Sequence, residues 1–399
     1  MAATSTRLNG GPERVEDRLA LAVADANWFT TENLFRELER PGVSTLLLKC
    51  EDYYNAWNRG LRPWRRRSRG LTLRGPGLWQ RNLVLPSGWM KSYPAIGMRP
   101  IRRTIDDWRT RHAPGARLAL VMTYPHYLFL RDLLRPDLHV YFNIDDYSQY
   151  WPSRARTLNA LECRAVREAD LTVCASKLRC EELRRAVPEA AGKIRHLPHG
   201  SPTPMVAGPP RRRPADPPAD LAVLPRPILG YVGSLEDRID WDLLQQLAHA
   251  RPDASIVLIG RLSHARSGAW LAEYRACVAL RNVHAIGWRP QETIGAYNAA
   301  FDVCLIPYKT EHPFNRACCP TKIMDYMATG RPIVSTDLPE CRLYSHLFDV
   351  APDADAFLEA VGAILDSGSD DGLAAARHAW ARENTCRRVV DRLMDWLPT

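Results

Sequence analysis

Residues 312–336 read HPFNRACCPTKIMDYMATGRPIVST, a pattern that predicts a helix followed by a strand. Pro320 suits the first turn of that helix, where its missing N–H loses no hydrogen bond. The apolar face of the helix comprises Ile323, Met324 and Met327. Gly330 ends the helix, because glycine accepts the left-handed conformation common at helix ends. The β-branched residues within 331–336 then predict a short buried strand.

Two charged residues share one face of this helix. Lys322 and Asp325 are three residues apart, so both lie near the helix start on the same side. A cation, a carboxylate and free backbone N–H groups at a helix N-terminus suit a phosphate joined to a hydroxyl-rich group. The alternative is an ordinary buried helix with a solvated charge pair. The surrounding chain favours the ligand site.

Length and composition indicate a two-domain globular protein. The chain has 399 residues, which predicts two domains of about 200 residues each. A hydrophobic fraction of 46% and a charged fraction of 25% are typical of soluble proteins. We find no run of the ~20 apolar residues that span a membrane, and no apolar core of a signal peptide. Ten scattered cysteines without a CxxC pair predict buried thiols in a reducing cytoplasm.

The net charge of +9 suits an anionic partner. Nucleotide-sugars, anionic lipid headgroups and nucleic acid all qualify. Basic residues cluster around Trp64 in the segment 61–69, LRPWRRRSR. This segment predicts either contact with anionic lipid, at about 1 kcal/mol per basic residue, or a solvated loop. Nucleic-acid binding is a third option, but no nucleic-acid motif accompanies the charge.

In the first half, apolar runs alternate with helical segments. Strands are predicted at residues 18–24, 43–48, 118–123, 138–144 and 171–175, with a helix at 31–40 after the first. This alternation predicts parallel βαβ units in a doubly wound sheet, whose ligands bind beyond the carboxyl ends of the strands. The residues at those ends are Trp28, Tyr124, His126, Asp145, Asp146 and Tyr147. The stretch between the second and third strands has a less regular pattern.

The second half repeats the alternation after a segment rich in proline, arginine and alanine at residues 201–226, which has the composition of a linker. Strands are predicted at 227–234, 255–261, 282–288 and 302–308, with a helix from Trp241 and a final amphipathic helix from about Leu373 to Leu397. Gly233 and Ser234 form a turn that allows close approach of a phosphate. Arg238 and Arg261 follow strand ends, where each can add positive charge.

The order of these motifs resembles the donor-binding signature of GT-B glycosyltransferases, specifically the group 1, family 4-like enzymes of bacterial polysaccharide synthesis. A glycine turn and a basic residue precede P-x-K-x-x-[DE], and 197–200 (LPHG) is similar to the turn that closes their first domain. The resemblance is specific from Ile228 to Glu340. It departs from the family pattern at Asp325, which is usually glutamate. It departs again at Ala317, where many retaining members carry a second acidic residue.

The resemblance implies an α/β protein of GT-B fold, with two Rossmann-like doubly wound parallel-sheet domains that face a cleft. It places an acceptor-binding domain at 1–203, a Pro/Arg-rich linker at 204–226 and a nucleotide-sugar-binding domain at 227–372. A C-terminal helix at 373–399 is expected to cross back to the first domain.

The resemblance also assigns donor-binding roles. Lys322 matches the lysine that contacts the diphosphate, and Asp325 matches the carboxylate that holds the ribose hydroxyls. The remaining implied donor-binding residues are Gly233, Ser234, Arg238, Arg261, Gly287, Trp288 and Thr321. The backbone around Gly287 and Trp288 is expected to border the nucleobase, although Trp288 also fits simple core packing.

The catalytic candidates lie at strand ends of the first half. Asp145 is the first choice for a base that accepts the proton of an acceptor hydroxyl. Asp146 orients Asp145 or caps the next helix, and capping by both residues is the structural alternative. His126 is predicted to line the acceptor cleft or, alternatively, to serve only in packing. We expect no metal and no cofactor, because the resembled enzymes use the nucleotide-sugar as substrate without a bound cation.

These interpretations predict a metal-independent glycosyltransferase of the hexosyltransferase type. It would move a sugar from a nucleotide-diphospho-sugar to a hydroxyl of a glycan, lipid-linked, in synthesis of a bacterial exopolysaccharide or cell-surface polysaccharide. The expected partners are this donor, this acceptor and an anionic membrane surface, with no nucleic acid. The expected location is the cytoplasm, peripheral on the inner face of the plasma membrane. A sugar-nucleotide epimerase and a catalytically silent scaffold of the same architecture are the alternatives.

Overall fold

The computed structural model describes residues 18–58, 70–92, 94–207, 216–263 and 268–398. The basic segment around Trp64 and the arginine-rich part of the predicted linker, 208–215, lie outside the described residues. Within the described ranges, no helix has both the length and the apolar character needed to cross a membrane.

The first half builds one large sheet. Its strands are β1 (Leu19–Ala24), β2 (Val43–Asp52), β3 (Thr72–Gly75), β4 (Leu78–Leu85), β5 (Arg117–Met122), β6 (Leu138–Asn143), β7 (Leu171–Cys174) and β8 (Ile194–His196). Its helices are α1 (Phe29–Arg36), α2 (Tyr53–Asn58), α3 (Trp89–Ser92), α4 (Pro94–His112), α5 (Leu128–Leu134), α6 (Ala155–Glu168) and α7 (Lys177–Ala186). The strand order is β3-β4-β2-β1-β5-β6-β7-β8, and β3 runs antiparallel to β4 while the other neighbours are parallel.

The second half builds a six-stranded parallel sheet in the order β11-β10-β9-β12-β13-β14. Its strands are β9 (Ile228–Val232), β10 (Ser255–Ile259), β11 (Val283–Gly287), β12 (Val303–Ile306), β13 (Ile333–Thr336) and β14 (Asp349–Ala351). The helices of this half are α8 (Ala219–Ala222), α9 (Trp241–Ala250), α10 (Trp270–Val278), α11 (Ile294–Ala300), α12 (Pro313–Ala317), α13 (Lys322–Thr329), α14 (Pro339–Arg342), α15 (Ala354–Asp366), α16 (Ala374–Glu383) and α17 (Cys386–Asp395).

The central strands are apolar because helices cover parallel sheets on both faces. In β1 every residue after Leu19 is buried, and all of β10 is buried. The strands of the first sheet are added outward on one side of β1 and then on the other, because β1 pairs with both β2 and β5. In the second sheet the same reversal of strand order occurs at β9, which pairs with β10 and β12. Crevices for ligands form where such reversals occur, at the carboxyl ends of these strands.

Two parts of the fold differ from the sequence-based prediction. The stretch between β2 and β5 is more regular than expected, because it contains β3, β4 and the long helix α4. The final helix is not continuous from Leu373 to Leu397. It divides into α16 and α17 at Asn384, where Thr385 caps the second helix by accepting a hydrogen bond from the Arg388 N–H. The cap allows the chain to change direction.

The two helices of this C-terminal pair contact different halves of the molecule. α16 packs on α13 of the second half, whereas α17 packs on α1 of the first. The Arg387 N–H, in the first turn of α17, donates to Glu37 Oε2 at 2.9 Å. The pair therefore connects the two sheets near residues 197–207, where the chain leaves the first half and which we call the crossover; Ser201 of this segment forms a bridge with Thr385.

Two further contacts join the halves close to the cleft. Ser201 Oγ donates to the carbonyl oxygen of Met324 at 2.9 Å, which ties the crossover segment to α13. Glu340 is 1% exposed, and its Oε2 accepts a hydrogen bond from the Lys177 N–H at the start of α7. Its Oε1 lies 3.2 Å from His196 Nε2. These bonds define how the two sheet edges face each other.

A buried arginine stabilises the attachment of α16. Arg377 has no exposed surface and donates to the carbonyl oxygens of Gly330 and Leu347 while pairing with Asp371. We expect Arg377→Met to lower the free energy of unfolding by about 3–5 kcal/mol, because it leaves Asp371 and both carbonyls without their partner. Urea titration followed by circular dichroism measures this. The exposed Arg382→Met on the same helix is the control, and equal losses in the two variants would contradict the explanation.

Candidate functional site

The side chain of Lys322 lies inside the cleft at the start of α13. It is 9% exposed, and its Nζ sits 4.8 Å from the ring centre of Tyr231 and 4.9 Å from that of Tyr308. Nζ also donates a hydrogen bond to the Tyr308 hydroxyl. Aromatic ring faces attract cations, so the two tyrosines hold the ammonium in place.

A glycine turn after β9 approaches this ammonium closely. Gly233 has a φ of 154°, and a Cβ at this position would lie 2.5 Å from Lys322 Nζ. Any side chain here would displace the lysine. The next turn, at Gly260 after β10, packs so tightly that a Cβ there would lie 1.8 Å from Gly233 O. The lysine therefore has backbone on the side of the glycine turn and tyrosine side chains on its other sides, and the glycines allow close approach of an anion.

Asp325 lies one turn along α13 from Lys322 and lines the same cavity. That cavity has a volume of about 140 Å³. Its lining includes Phe29, Thr30 and Asn33 of α1, His199 and Gly200 of the crossover, and Gly233, Thr321, Lys322 and Asp325 of the second half. Burial raises the pKa of Asp325 to about 7, although the nearby Lys322 opposes that rise. The structure thus brings four of the predicted donor-binding residues together around one space.

His199 was not among the predicted site residues, although it belongs to the quoted turn at the end of the first half. It lines this cavity, and burial lowers the pKa of its imidazole to about 4. At neutral pH the ring is therefore uncharged and can donate one hydrogen bond and accept another.

A larger cavity of about 580 Å³ adjoins the first. The two share Phe29, Asn33, Pro202 and Gln291 in their linings. Ala328 and Thr329, one turn beyond Asp325 on α13, line the larger cavity together with residues of α11. The two cavities therefore lie along one face of α13. On this face Lys322 and Asp325 line the smaller cavity, and Ala328 and Thr329 line the larger one.

Asp145 follows β6 on the opposite side of the cleft. The residue is half-buried, and its Oδ2 accepts a hydrogen bond from the Tyr150 hydroxyl at 2.9 Å. Burial raises the pKa of Asp145 to about 6, while the Tyr150 bond and the positive charge of Arg238 act in the opposite direction. The carboxyl is therefore mostly ionised at neutral pH and basic enough to take a proton.

Arg238 reaches this carboxyl from the second half. Its guanidinium pairs with Glu236, with Nε 2.9 Å from Oε1, and lies 4.2 Å from the ring centre of Phe314. It is 5.8 Å from the ring centre of Tyr308, the residue that also holds Lys322. Arg238 therefore lies near Tyr308, which also contacts Lys322, and acts electrostatically on Asp145.

The other two catalytic candidates occupy structural positions. Asp146 caps the short 3-10 turn after it, and its Oδ1 accepts hydrogen bonds from the N–H and the hydroxyl of Ser148 at 3.1 and 2.6 Å. Of the two predicted roles for Asp146, this geometry provides capping. The ring of His126 stacks on Tyr124 with their centres 5.0 Å apart, next to the cleft.

Arg261 and Trp288 interact at the edge of the second sheet. The guanidinium of Arg261 lies 4.8 Å from the ring centre of Trp288. Trp288 is 53% exposed, so the alternative that it packs in the core is wrong. Gly287, just before it, has a φ of 76° that turns the chain at the end of β11. Ser234 is exposed, and its carbonyl oxygen accepts a hydrogen bond from the Tyr231 hydroxyl at 3.0 Å.

Sequence reasoning missed Asp25, which follows β1 at the point of strand reversal. It is 6% exposed and has a φ of 65°, a conformation that most residues with a side chain avoid. Asn27 Nδ2 donates to its Oδ1 at 2.6 Å. Burial raises the pKa of Asp25 to about 7, and the bond from Asn27 opposes the rise. A polar residue directly after an apolar strand was the available signal.

The described residues contain no group of three or more histidine, cysteine, aspartate or glutamate side chains placed to hold a metal ion. The residues that the structure brings to the cleft are the cations Lys322 and Arg238 on one side and the carboxylate of Asp145 on the other.

Comparison with solved structures identifies this architecture. Sucrose-phosphate synthase from Thermosynechococcus elongatus superposes with a TM-score of 0.71 at 17% identity, over 95% of this chain and 98% of that chain. HepE from Anabaena, solved in complex with UDP, superposes with a TM-score of 0.65 at 13% identity, over 95% and 98%. Residues 226–367 match the family model described as Glycosyl transferases group 1. The chain has the GT-B fold, and its residues 226–367 are similar to group 1 glycosyl transferases.

A curated relative points the same way. TuaH of Bacillus subtilis (strain 168), named as a candidate glycosyltransferase of teichuronic acid biosynthesis, is 22% identical over 308 residues. The match covers 73% of this chain and 72% of that protein. The predicted fold class and the predicted GT-B, group 1 resemblance are confirmed. The domain boundaries and the roles of individual site residues stay predictions.

The buried carboxyl of Asp25 generates a stability test. Its pKa is raised from 3.8 to about 7, so between these values the unfolded state ionises while the folded state stays protonated, and the folded state loses stability as the pH rises. Below pH 4 both states are protonated, and above pH 7 the loss is complete. Asp25→Asn should therefore stabilise the protein at pH 8, by up to about 4 kcal/mol at 1.36 kcal/mol per pKa unit, and the gain should vanish towards pH 4. Asparagine also tolerates the positive φ.

Urea unfolding of wild type and Asp25→Asn between pH 4 and pH 8 measures the effect. The exposed Asp355→Asn serves as the control. A gain that stayed constant across this range would show that Asp25 is not a buried ionising group.

Proposed function

We propose that this protein transfers a sugar from a nucleotide-diphospho-sugar to a hydroxyl of a glycan acceptor. The observation that carries the proposal is the cavity in which Lys322, Asp325 and the Gly233 turn meet. Only a ligand with a negative, many-oxygen group beside hydroxyls uses all three. HepE, of the same fold, was solved with UDP and with UDP-glucose, which supports a uridine nucleotide-sugar as the first donor to test.

The cavities divide the donor into parts. The smaller one, about 140 Å³, is below the ~300–1,000 Å³ of typical ligand sites and fits the diphosphate with the ribose edge. The larger one, about 580 Å³, continues along α13, and in this proposal it binds the nucleoside. Lys322 and the turn at Gly233 and Ser234 then face the diphosphate, whose charge grows as the bond to the sugar breaks.

Asp145 completes the reaction from the first half. In the proposed displacement, the acceptor oxygen bonds to the anomeric carbon, its proton moves to Asp145, and the nucleoside diphosphate leaves with the bonding electrons. No further reactant is required. Asp145 is suited to this step because its carboxyl is ionised at neutral pH with a pKa of about 6.

The acceptor belongs, in this proposal, to a bacterial cell-surface polysaccharide and is carried on a lipid. The match to TuaH, whose name refers to teichuronic acid biosynthesis, supports the polysaccharide. The lipid carrier and peripheral membrane association rest on the family resemblance and the basic sequence around Trp64.

Donor binding provides the first test. Lys322→Met removes the ammonium while keeping the aliphatic stem, so the two tyrosines still pack. We expect the affinity for UDP and UDP-glucose to fall at least tenfold, because a charge-assisted contact contributes about 1.5–3 kcal/mol. Isothermal titration calorimetry measures this, with Lys193→Met in the first half as the control. Unchanged binding would contradict the assignment of the cavity.

Turnover provides the second test. Asp145→Asn keeps the shape of the side chain but removes its basicity, so donor affinity should persist while the rate of UDP release from UDP-glucose falls about 10²–10⁴-fold. The exposed Asp106→Asn is the control. Retention of the wild-type rate would remove Asp145 from the mechanism.

A panel of nucleotide-sugars, incubated with and without a bacterial glycan extract, separates the rival functions. Nucleoside diphosphate release that depends on the extract supports a transferase. An isomerised donor formed without acceptor supports the epimerase, and failure to bind any donor supports the silent scaffold.

A further inference from the structure

Tyr150 joins three parts of the cleft. It follows the short turn capped by Asp146, and its hydroxyl donates to Asp145 Oδ2 at 2.9 Å. Its ring centre lies 6.1 Å from that of Trp28, at the carboxyl end of β1. Across the cleft it meets Phe314 of α12 edge-to-face, with ring centres 5.3 Å apart. One side chain therefore contacts the carboxylate, a neighbouring loop and the opposite domain.

The hydroxyl of Tyr150 acts as a permanent donor. Burial and the adjacent Asp145 carboxylate hold the pKa of Tyr150 well above its usual value, so the phenol stays protonated. A fixed donor on Oδ2 sets the rotation of the carboxyl group about its terminal bond. The acceptor's proton is then taken by Oδ1, whose direction follows from that rotation.

Contact with Phe314 makes this arrangement depend on the second half of the molecule. Phe314 carries the Arg238 guanidinium on its ring at 4.2 Å, and Arg238 also acts electrostatically on Asp145. Edge-to-face aromatic pairs are favourable by about 0.5–1.5 kcal/mol beyond their burial, as measured by double-mutant cycles. When the two sheets approach, Phe314 and Arg238 therefore reach Tyr150 and Asp145 together.

The remaining ionisable groups around Asp145 come from several elements. Asp146 raises the pKa of Asp145, while Arg179 of α7 lowers it. The phenol of Tyr147 and the thiol of Cys318 also lie within electrostatic range of the carboxylate. Burial raises the pKa of both, which leaves them uncharged at neutral pH. Among the described residues, the side-chain hydrogen bond to Oδ2 comes from Tyr150 and from none of these four.

We propose that Tyr150 is a positioning residue that aligns Asp145 for proton transfer and links this alignment to closure of the cleft through Phe314. The inference rests on the proposed function, in which Asp145 is the base. It predicts that the hydroxyl and the ring of Tyr150 have separable effects. The hydroxyl lowers the pKa of Asp145 through its hydrogen bond. The ring contacts Phe314, and through this contact the position of the hydroxyl depends on the opposite domain.

Tyr150→Phe separates the two, because it keeps the ring and deletes the hydroxyl. Loss of a hydrogen bond to a carboxylate should lower the acid dissociation constant of Asp145 roughly tenfold. The acidic limb of the pH profile for UDP release from UDP-glucose should therefore move to higher pH by about one unit. The Michaelis constant for UDP-glucose should stay unchanged. A purely structural role would lower the rate without moving that limb.

Ionisation is also measured without turnover. In protein labelled with [¹³Cγ]aspartate, the NMR signal that disappears in Asp145→Asn reports this carboxyl. Its titration midpoint should lie near 6 in wild type and higher in Tyr150→Phe. Tyr274→Phe, on α10 away from the cleft, is the matched control and should leave the midpoint unchanged. Thermal unfolding of each variant verifies that the fold is retained.

Phe314→Leu tests the link to closure. It should shift the same midpoint in the same direction by a smaller amount, and its effect should be smaller in Tyr150→Phe than in wild type, where only the part that acts through Arg238 remains. An unshifted midpoint in Tyr150→Phe, or additive effects of the two changes, would overturn the inference. The proposed function fails separately, if Asp145→Asn turns over at the wild-type rate.

Discussion

A positive charge buried among aromatic rings is the constraint on which the cleft depends. Removing an ammonium from water is strongly unfavourable unless it is paired. Each of the two tyrosine ring faces beside Lys322 stabilises its ammonium by about 0.5–2 kcal/mol. The Tyr308 hydroxyl also accepts a hydrogen bond from one of the three N–H groups of that ammonium. The Gly233 turn leaves backbone on its open side. Such a group is preorganised for a multiply charged anion and gains stability when one binds.

The position of that charge depends on contacts far from it in sequence. The crossover at Ser201 is bonded to α13, the helix that carries Lys322. Glu340, from the second half, accepts the N–H at the start of α7 in the first half. A carboxylate at a helix N-terminus is favourable there because of the exposed N–H groups and the helix dipole. The distance from Lys322 to Asp145 is thus determined by the interface rather than by either sheet alone.

Much of the fold was predictable from local pattern. Buried parallel strands such as β1 and β10 are continuous apolar runs, and Gly330 ends α13 with a φ of 73° as expected from a glycine at that position. β4 was missed because the polar run Gln80, Arg81 and Asn82 interrupts its apolar residues, although Gln80 is buried in the structure. The break at Asn384 was missed because the amphipathic pattern continues through it.

The site was predictable only where one motif carries it. Lys322 and Asp325 lie on a single helix, so their spacing revealed that they share a cavity. Asp25 could not be found this way, because its burial comes from Asn27, Cys50 and side chains of other strands. Tyr150 and Phe314 are 164 positions apart in the sequence and belong to different halves, so their contact exists only after the two sheets dock. Local sequence does not encode such a distance.

The residue at position 317 differs from the pattern of the resembled family. Ala317 ends α12 and is 5% exposed, and the next residue, Cys318, lies within electrostatic range of both Arg238 and Asp145. Where many retaining members of that family carry a carboxylate, this chain has a methyl group. In the reaction proposed above, the basic carboxylate is that of Asp145, from the opposite side of the cleft. Proton transfer to Asp145 therefore depends on the docking of the two halves, because docking brings Phe314 and Arg238 to Tyr150 and Asp145.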